Sequence, residues 1–191
     1  MTGRPKGTKK NGLKYLNTSE LEAFTTALKS SGRLRDRLMM SLTLYLGLRV
    51  GELVALKVKD LGFDSGEITV HALKGGRTRT YLLEERLWKL LKRYLKKETI
   101  TEPDERLFPV TDQTAKNVFK RVAKAAGLSK DFSIHSLRHT CGMLRAKSND
   151  SPIKIMLWLR HRSVISTEIY FEQTAFENDD LRMNALMGKY L

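Results

Sequence analysis

The sequence predicts a mainly α-helical domain with one small antiparallel β-sheet, an α+β fold. Apolar residues recur at helical spacing over most of the chain, and only one stretch alternates in the manner of β-strands. A chain of 191 residues with ordinary apolar content can bury one core, and its length fits one domain better than two. We therefore expect a single globular unit.

Helix boundaries are marked by capping and stop residues as well as by periodicity. The first helix opens at Asn17 to Glu20, which supply a capping oxygen and an early acid. Leu21, Phe24 and Leu28 follow at helical spacing, and Gly47 stops the second helix. Further helices are predicted at about residues 35–46, 52–56, 84–97, 113–126, 133–147, 153–160 and 166–171.

One β-hairpin is predicted between the helices. Residues 67–72 alternate with β-branched side chains, Gly75-Gly76 forms a turn, and residues 78–83 alternate again. This arrangement sets Lys74 at the tip of the hairpin.

The charge of the chain predicts a polyanionic partner. A formal net charge of +14 exceeds what solubility requires, so nucleic acid is the first candidate and an acidic membrane surface the second. The longest apolar stretches are short and broken by Arg or Lys, and no apolar segment follows the basic N-terminus. We therefore expect no membrane association and a cytoplasmic location.

Residues 1–15 are predicted to form a basic, flexible arm that contributes nothing to the core. Within the arm, Gly3-Arg4-Pro5-Lys6 looks like the core of an AT-hook, a segment that lies in the minor groove of A·T-rich DNA. Arg4 and Lys6 are therefore candidate DNA-binding residues. The alternative is a solvated tail that only adds attraction to phosphate.

Two motifs place charged residues in apolar surroundings, where burial without a partner costs free energy. Arg49 precedes Glu52 by three residues, so the acid can orient the guanidinium or form an ordinary helix-end salt bridge. His135 and Arg138 have the same spacing and can converge on one anion, although such a pair also arises by chance. The lone Cys141 is predicted to be a small apolar residue packed in a helix.

Two more polar residues complete an ordered set. His161 ends an apolar helix and Tyr170 follows nine positions later, and either residue alone would be taken as structural. The order and spacing of the whole set resemble the tyrosine recombinase (phage integrase) family over roughly residues 16–172. The family's accessory acid corresponds to Glu52. The residues that match the catalytic pattern are, in order, Arg49, Lys74, His135, Arg138, His161 and Tyr170.

The resemblance implies the tyrosine recombinase catalytic-domain fold and an enzyme that breaks and rejoins DNA through a 3′-phosphotyrosine. In that chemistry Arg49 and Arg138 hold the charge that builds on the non-bridging oxygens. Tyr170 is the nucleophile, and a nearby base such as His135 assists the loss of its proton. His161 donates a hydrogen bond to the phosphate.

A lysine on the hairpin completes the implied reaction. Lys74 protonates the departing 5′ oxygen, whereas Arg77 and Arg79 are predicted phosphate contacts because guanidiniums do not readily give up a proton. The phosphotyrosine bond retains the energy of the broken link, so no ATP, metal or other cofactor is expected. The sequence has neither a P-loop nor an HExxH motif, and its acids are scattered.

Two features depart from the family pattern. Arg160 replaces the glycine that usually precedes the last histidine, which can alter how His161 reaches the phosphate or add a backbone contact. In addition, only about fifteen residues precede the catalytic region, so we do not expect this sequence to contain the N-terminal DNA-binding domain of typical members. A naturally short member and an excised domain would both look like this.

The expected partner is double-stranded DNA, on which family members assemble as tetramers. Accessory proteins, encoded by the host or by a mobile element, are possible further partners. Residues 173–191 are predicted to form a helical tail that either passes to a neighbouring subunit or packs on its own domain. Two alternatives stay open: a type IB topoisomerase, and a recombinase-like DNA-binding regulatory protein that does not cleave. Integration, excision, inversion and dimer resolution are equally compatible with the sequence.

Overall fold

The computed structural model describes residues 13–31, 33–71, 73, 77–129 and 131–171. It confirms a mainly helical fold with a small antiparallel sheet. A further helical turn occupies residues 165–171. The seven named helices are α1 (Thr18–Ser30), α2 (Leu34–Leu46), α3 (Val50–Ala55), α4 (Glu85–Glu98), α5 (Asp112–Ala125), α6 (Ile134–Lys147) and α7 (Pro152–Trp158).

The helices begin and end where their capping residues predict. Asn17 caps α1 by accepting from the backbone N–H of Glu20, and the Glu20 carboxylate accepts in return from the backbone N–H of Asn17. Gly47 ends α2 in the left-handed conformation, with φ 60°. Pro152 occupies the first turn of α7, where its missing N–H leaves no hydrogen bond unmade.

The sheet has three strands in the order β1 (Leu61–Gly62), β2 (Glu67–Val70) and β3 (Arg79–Leu82), all antiparallel. The predicted hairpin is β2 and β3, with Glu67 opposite Leu82. The short strand β1 was not predicted, because two residues are too few to display alternation. Ile68, Val70 and Tyr81 point their side chains into the core.

A long central helix, α2, organises the main core. It packs against α3, α4, α5 and α6, and seven of its residues are buried, including the charged Asp36. A second, smaller core lies between α6, α7 and the helical segment 165–171. Cys141 is buried in this second core, as predicted, and so is Tyr170.

Several predicted features fall outside the described residues. These include the basic arm with Arg4 and Lys6, the hairpin tip with Lys74, and the tail 173–191, so their predictions stand as made. Among the helices of the described ranges, none is long and apolar enough to cross a lipid bilayer.

We predict that a glycine is required at position 47 for two reasons, the left-handed backbone conformation and the close approach of the Leu159 side chain. A Cβ at Gly47 would lie 2.3 Å from Leu159 Cδ2, whereas a Cβ at Gly127, with φ 70°, would meet nothing within 4 Å. Gly127→Ala should therefore lose about 1–2 kcal/mol of unfolding free energy from the left-handed backbone alone. Gly47→Ala should lose a further ~1–3 kcal/mol from overpacking. Urea denaturation of both variants measures the difference, and equal losses would contradict the packing argument.

Candidate active site

The first part of the site is a tight turn between α2 and α3. Arg49 is the residue before α3, and its backbone N–H donates to Glu52 Oε2 over 2.8 Å. The Arg49 guanidinium donates through Nη1 to the other oxygen, Oε1, also over 2.8 Å. The three-residue spacing noted in the sequence thus fixes Arg49 twice, through backbone and side chain. The Arg49 side chain remains 40% exposed, so it can still meet a ligand.

Glu52 is a buried anion shared by several cations. Its Oε2 accepts from Arg160 Nη2 over 2.7 Å and lies 3.9 Å from Arg138 Nη1. Burial on its own would raise the pKa of Glu52. The hydrogen bond and charge of Arg160, the Arg49 backbone N–H and the charge of Arg138 outweigh burial and hold that pKa below its ordinary value. Glu52 is therefore ionised at neutral pH.

Arg138 is almost completely buried on α6 and is held by backbone oxygens. Its Nη1 donates to the carbonyl of Gly47 over 2.5 Å, and its Nη2 donates to the carbonyl of Leu159. Burial lowers the pKa of Arg138 to about 10, and the charge of Arg49 adds to this effect. The group keeps its charge at neutral pH and is fixed in position before any ligand binds.

Arg160, the departure from the family pattern, keeps the turn that a glycine favours. Its φ is 57°, in the left-handed region, and its side chain is fully buried. The guanidinium donates to the carbonyls of Leu46, Gly47 and Trp158, each over 3.1 Å. It also donates to the Tyr81 hydroxyl, in addition to Glu52. Arg160 thus contacts the backbone of the protein, whereas its effect on how His161 reaches a phosphate stays a prediction.

Tyr170 lies with its ring against the backbone of α6. The side chain is 1% exposed, and a Cβ at Gly142 would lie 2.6 Å from Tyr170 Cζ. The His161 ring stacks on the Tyr170 ring with centroids 6.4 Å apart, and His161 Nδ1 is 3.0 Å from Thr167 Oγ1. Burial raises the pKa of Tyr170 to about 12, although the charge of Arg138 opposes the rise. The hydroxyl is therefore protonated in the free protein.

A residue that the sequence reasoning missed contacts this hydroxyl. His139 Nδ1 is 3.2 Å from the Tyr170 hydroxyl oxygen, and the His139 ring meets the His135 ring edge-on at 4.5 Å. His135 itself is exposed at the surface of α6. The signal in the sequence was the spacing of four between His135 and His139, which sets both rings on one helical face.

The two histidines in contact with Tyr170 are neutral. Burial lowers the pKa of His161 to about 3, with help from the charges of Arg138 and Arg49. Burial also lowers the pKa of His139 to about 4, with the charges of His135 and Arg138 adding to it. Each ring thus has one N–H to donate and one nitrogen to accept at neutral pH.

The structure describes two of the three basic residues predicted to act on the hairpin, Arg77 and Arg79. Arg77 is exposed. The Arg79 guanidinium lies over the rings of Tyr81 and Trp158, at 5.3 and 5.4 Å from their centroids. Contacts of Arg77 and Arg79 with phosphate stay predictions, as does the role of Lys74, which lies outside the described residues.

Together Arg49, Arg138 and Arg160 form a cluster of cations, here called the cation cluster, in the region of the Tyr170 hydroxyl. Fixed guanidiniums near a protonated phenol and neutral imidazoles suit attack on an anionic centre that gains charge. Within the described ranges, no group of three or more His, Cys, Asp or Glu side chains is arranged to hold a metal ion. The candidate site is thus composed of guanidinium cations, imidazoles and one phenol.

Known proteins that are similar to this chain belong to the family that its sequence resembles. The sequence pattern of the phage integrase family matches residues 14–176. Tyrosine recombinase XerA of Saccharolobus solfataricus is 31% identical over 170 residues, which are 89% of this chain and 55% of that protein. XerA of Pyrococcus furiosus is 32% identical over 153 residues, 75% of this chain and 52% of that protein. The chain therefore spans about half the length of these curated relatives.

Solved structures share the fold. XerA recombinase superposes with a TM-score of 0.72 at 27% identity, covering 86% of this chain and 64% of that one. The site-specific recombinase XerH, in a post-cleavage complex with its palindromic difH substrate, superposes with a TM-score of 0.77 at 26% identity. That match covers 95% of this chain and 56% of the XerH chain.

We predict that Glu52→Gln destabilises the fold in a pH-dependent way. Loss of the carboxylate leaves Arg138 and Arg160 buried without a counter-ion, which should cost about 3–5 kcal/mol at neutral pH. Because the folded pKa of Glu52 is lowered, its contribution is complete above the ordinary value of 4.5 and is lost as pH falls through the folded pKa.

Urea denaturation at neutral and acidic pH checks this prediction. The gap between wild type and Glu52→Gln should narrow at the acidic pH. The matched control is the exposed Glu22→Gln, which should stay within about 0.5 kcal/mol of wild type. A gap that does not change with pH would show that the carboxylate charge is not what stabilises the site.

Proposed function

The chain belongs to the phage integrase family, and from that premise we propose that it is a site-specific DNA recombinase that cleaves and rejoins strands through a 3′-phosphotyrosine at Tyr170. The observation that carries the proposal is the surroundings of the Tyr170 hydroxyl. A protonated phenol lies beside neutral imidazoles and within the electrostatic influence of Arg138 and Arg49. A phenol buried only for packing has no need of two fixed guanidiniums nearby.

Charge compensation is the main contribution of the cation cluster to the proposed reaction. Attack of the Tyr170 oxygen on phosphorus adds negative charge to the non-bridging oxygens, and Arg49 and Arg138 stabilise it there. Arg138 is already fixed by backbone carbonyls, so little reorganisation is needed in the transition state. The neutral His161 has one N–H with which to hydrogen-bond the phosphate.

The remaining steps concern the leaving group and its return. Lys74 on the hairpin protonates the 5′ oxygen as the strand breaks. A 5′ hydroxyl from another strand then attacks the phosphotyrosine and restores the DNA without ATP. The scheme requires no cofactor.

Double-stranded DNA is the proposed substrate, with residues 16–172 as the catalytic domain and residues 1–15 as a basic arm. The net charge of +14 supports phosphate binding, as do the exposed Arg77 and the partly exposed side chain of Arg49. The structure of XerH with its difH substrate is consistent with the same use of the fold.

Assembly on DNA is proposed to use the tail 173–191 of a neighbouring subunit. A groove of about 660 Å³ lies between α2, α4, α6 and α7, and its wall includes exposed apolar residues such as Leu144. The tail carries apolar residues, among them Phe176 and Leu186, and three acids, Glu177, Asp179 and Asp180. Those acids suit the basic side chains in the groove, which outnumber its two acids, Glu84 and Asp150; the basic residues are Lys29, Arg37, Arg86 and Arg145.

A nicked suicide substrate tests the chemistry. Wild type should accumulate a covalent 3′-phosphotyrosyl adduct on a DNA that contains the target site, and Tyr170→Phe should abolish the adduct while DNA binding is retained. Binding without adduct on every site tried would favour a non-cleaving DNA-binding protein. Rapid plasmid relaxation without sequence preference would favour a type IB topoisomerase.

A charge placed in the groove tests the assembly. Leu144→Glu should prevent tetramer formation on paired sites, because it puts an acid where the tail's acids and apolar residues would bind. Ile153→Glu is the control, since Ile153 is also exposed but is not part of the groove wall. Sedimentation of the DNA complexes measures the outcome. Intact tetramers with Leu144→Glu would mean that the tail binds elsewhere, for example on its own domain.

A further inference from the structure

We propose that Arg160 is a positioning residue, which occupies the Glu52 oxygen that Arg138 would otherwise bind and so keeps the Arg138 guanidinium in place for the phosphate. This inference rests on the proposed recombinase function. The family pattern has a glycine at this position, so the pattern itself assigns no such role.

Arg160 fills the Glu52 oxygen that lies nearest to Arg138. Glu52 Oε1 accepts from Arg49 Nη1, and Oε2 accepts from the backbone N–H of Arg49 over 2.8 Å and from Arg160 Nη2 over 2.7 Å. A carboxylate oxygen has about two lone-pair sites, so both sites of Oε2 are in use. Arg138 Nη1 lies 3.9 Å from Oε2, which is too long for a hydrogen bond.

The Arg138 guanidinium is held by carbonyls in place of the acid. Its Nη1 donates to the Gly47 carbonyl over 2.5 Å, and its Nη2 donates to the Leu159 carbonyl. Without Arg160, Glu52 Oε2 would have an open site, and Arg138 Nη1 would reach it after a movement of only about 1 Å. A charge-assisted hydrogen bond is roughly twice as strong as one to a neutral carbonyl. Arg138 would therefore turn from Gly47 towards Glu52.

Three features of Arg160 cost free energy that packing alone does not require. Its backbone is left-handed, with φ 57°. Its Nε is buried and has no hydrogen-bond partner within the described part of the chain. Its positive charge lies beside that of Arg138, and both guanidiniums donate to the same Gly47 carbonyl. An apolar side chain would fill the volume without the last two costs, so their presence favours a functional role.

Two variants separate hydrogen bonding from space filling. Arg160→Gly empties the position and relieves the backbone, whereas Arg160→Met fills most of the volume but has no donor. Both should slow single-turnover adduct formation by roughly 10²-fold with DNA binding unchanged, which is the effect of a misplacement of about 1 Å. Wild-type rates in both variants, or a loss in Arg160→Gly alone, would overturn the inference, since the second result is that of a residue that only fills space.

Arg121→Met is the matched control for the loss of an arginine from a buried acid. Arg121 pairs with the fully buried Asp36, near the start of α2, whereas the cation cluster lies at the other end of that helix. The adduct rate of Arg121→Met should equal the wild-type rate. A loss as large as that of Arg160→Gly would show that any weakening of the core slows the reaction, and the inference would fail.

Free guanidinium ion tests the missing donor directly. In Arg160→Gly it has room to enter and to donate to Glu52 and to the Gly47 carbonyl, so below denaturing concentrations it should restore much of the rate. Arg160→Met should not respond, because its side chain fills the space. Sodium chloride at equal ionic strength controls for the effect of salt on DNA binding. Rescue also verifies that Arg160→Gly folds, and its absence would contradict the inference.

A neutral substrate identifies Arg138 as the group through which Arg160 acts. A methylphosphonate at the scissile link replaces one charged non-bridging oxygen by a methyl group, so the reaction depends less on guanidiniums that compensate charge. On this substrate the loss in Arg160→Gly should shrink to less than about tenfold. An undiminished loss would overturn the inference, while adduct formation on ordinary DNA would still support the recombinase function. If wild type forms no adduct on any DNA, both the function and the inference fail.

Discussion

The buried carboxylate of Glu52 is the interaction on which the rest of the site depends. An ionised acid in the interior is tolerated only when cations and N–H groups surround it. Glu52 accepts from the backbone N–H and the guanidinium of Arg49 and from the guanidinium of Arg160, and Arg138 lies nearby. Each partner comes from a different part of the chain. The carboxylate therefore joins the α2–α3 turn, α6 and the end of α7, and through Arg160 it also reaches Tyr81 on β3. One buried anion thus holds the cation cluster together.

The nucleophile depends on a separate set of contacts. Tyr170 belongs to the small second core, where Gly142 leaves room for its ring and His161 stacks on it. The arginines are fixed by Glu52 and by backbone carbonyls, among them those of Gly47 and of Leu159, which belongs to the second core. The site thus lies at the junction of two cores, and α6 contributes to both, with Arg138 on one side and His139 on the other. Because Arg138 donates to the carbonyl of Leu159, a movement of the second core would affect this guanidinium as well as the hydroxyl.

The parts of the fold that depend on local signals were predictable from the sequence. The Asn17 cap, the Gly47 stop and the three-residue spacing of Arg49 and Glu52 all act between neighbours in the chain, and all have the predicted effect. The parts that depend on distant residues were not predictable. The contact of His139 with Tyr170 joins positions 31 residues apart, and the burial of Arg160 depends on carbonyls more than 100 residues earlier. Periodicity identifies a shared helical face but not what lies opposite it.

The left-handed backbone at Arg160 has a consequence for substitutions at this position. Arginine is strained at this φ and glycine is not, so replacement by glycine would relieve the backbone. The same replacement would remove one donor to Glu52 and leave the Tyr81 hydroxyl and the carbonyls of Leu46 and Gly47 around an empty volume. Arginine and glycine are thus interchangeable at position 160 only if the residues around the Arg160 side chain change as well.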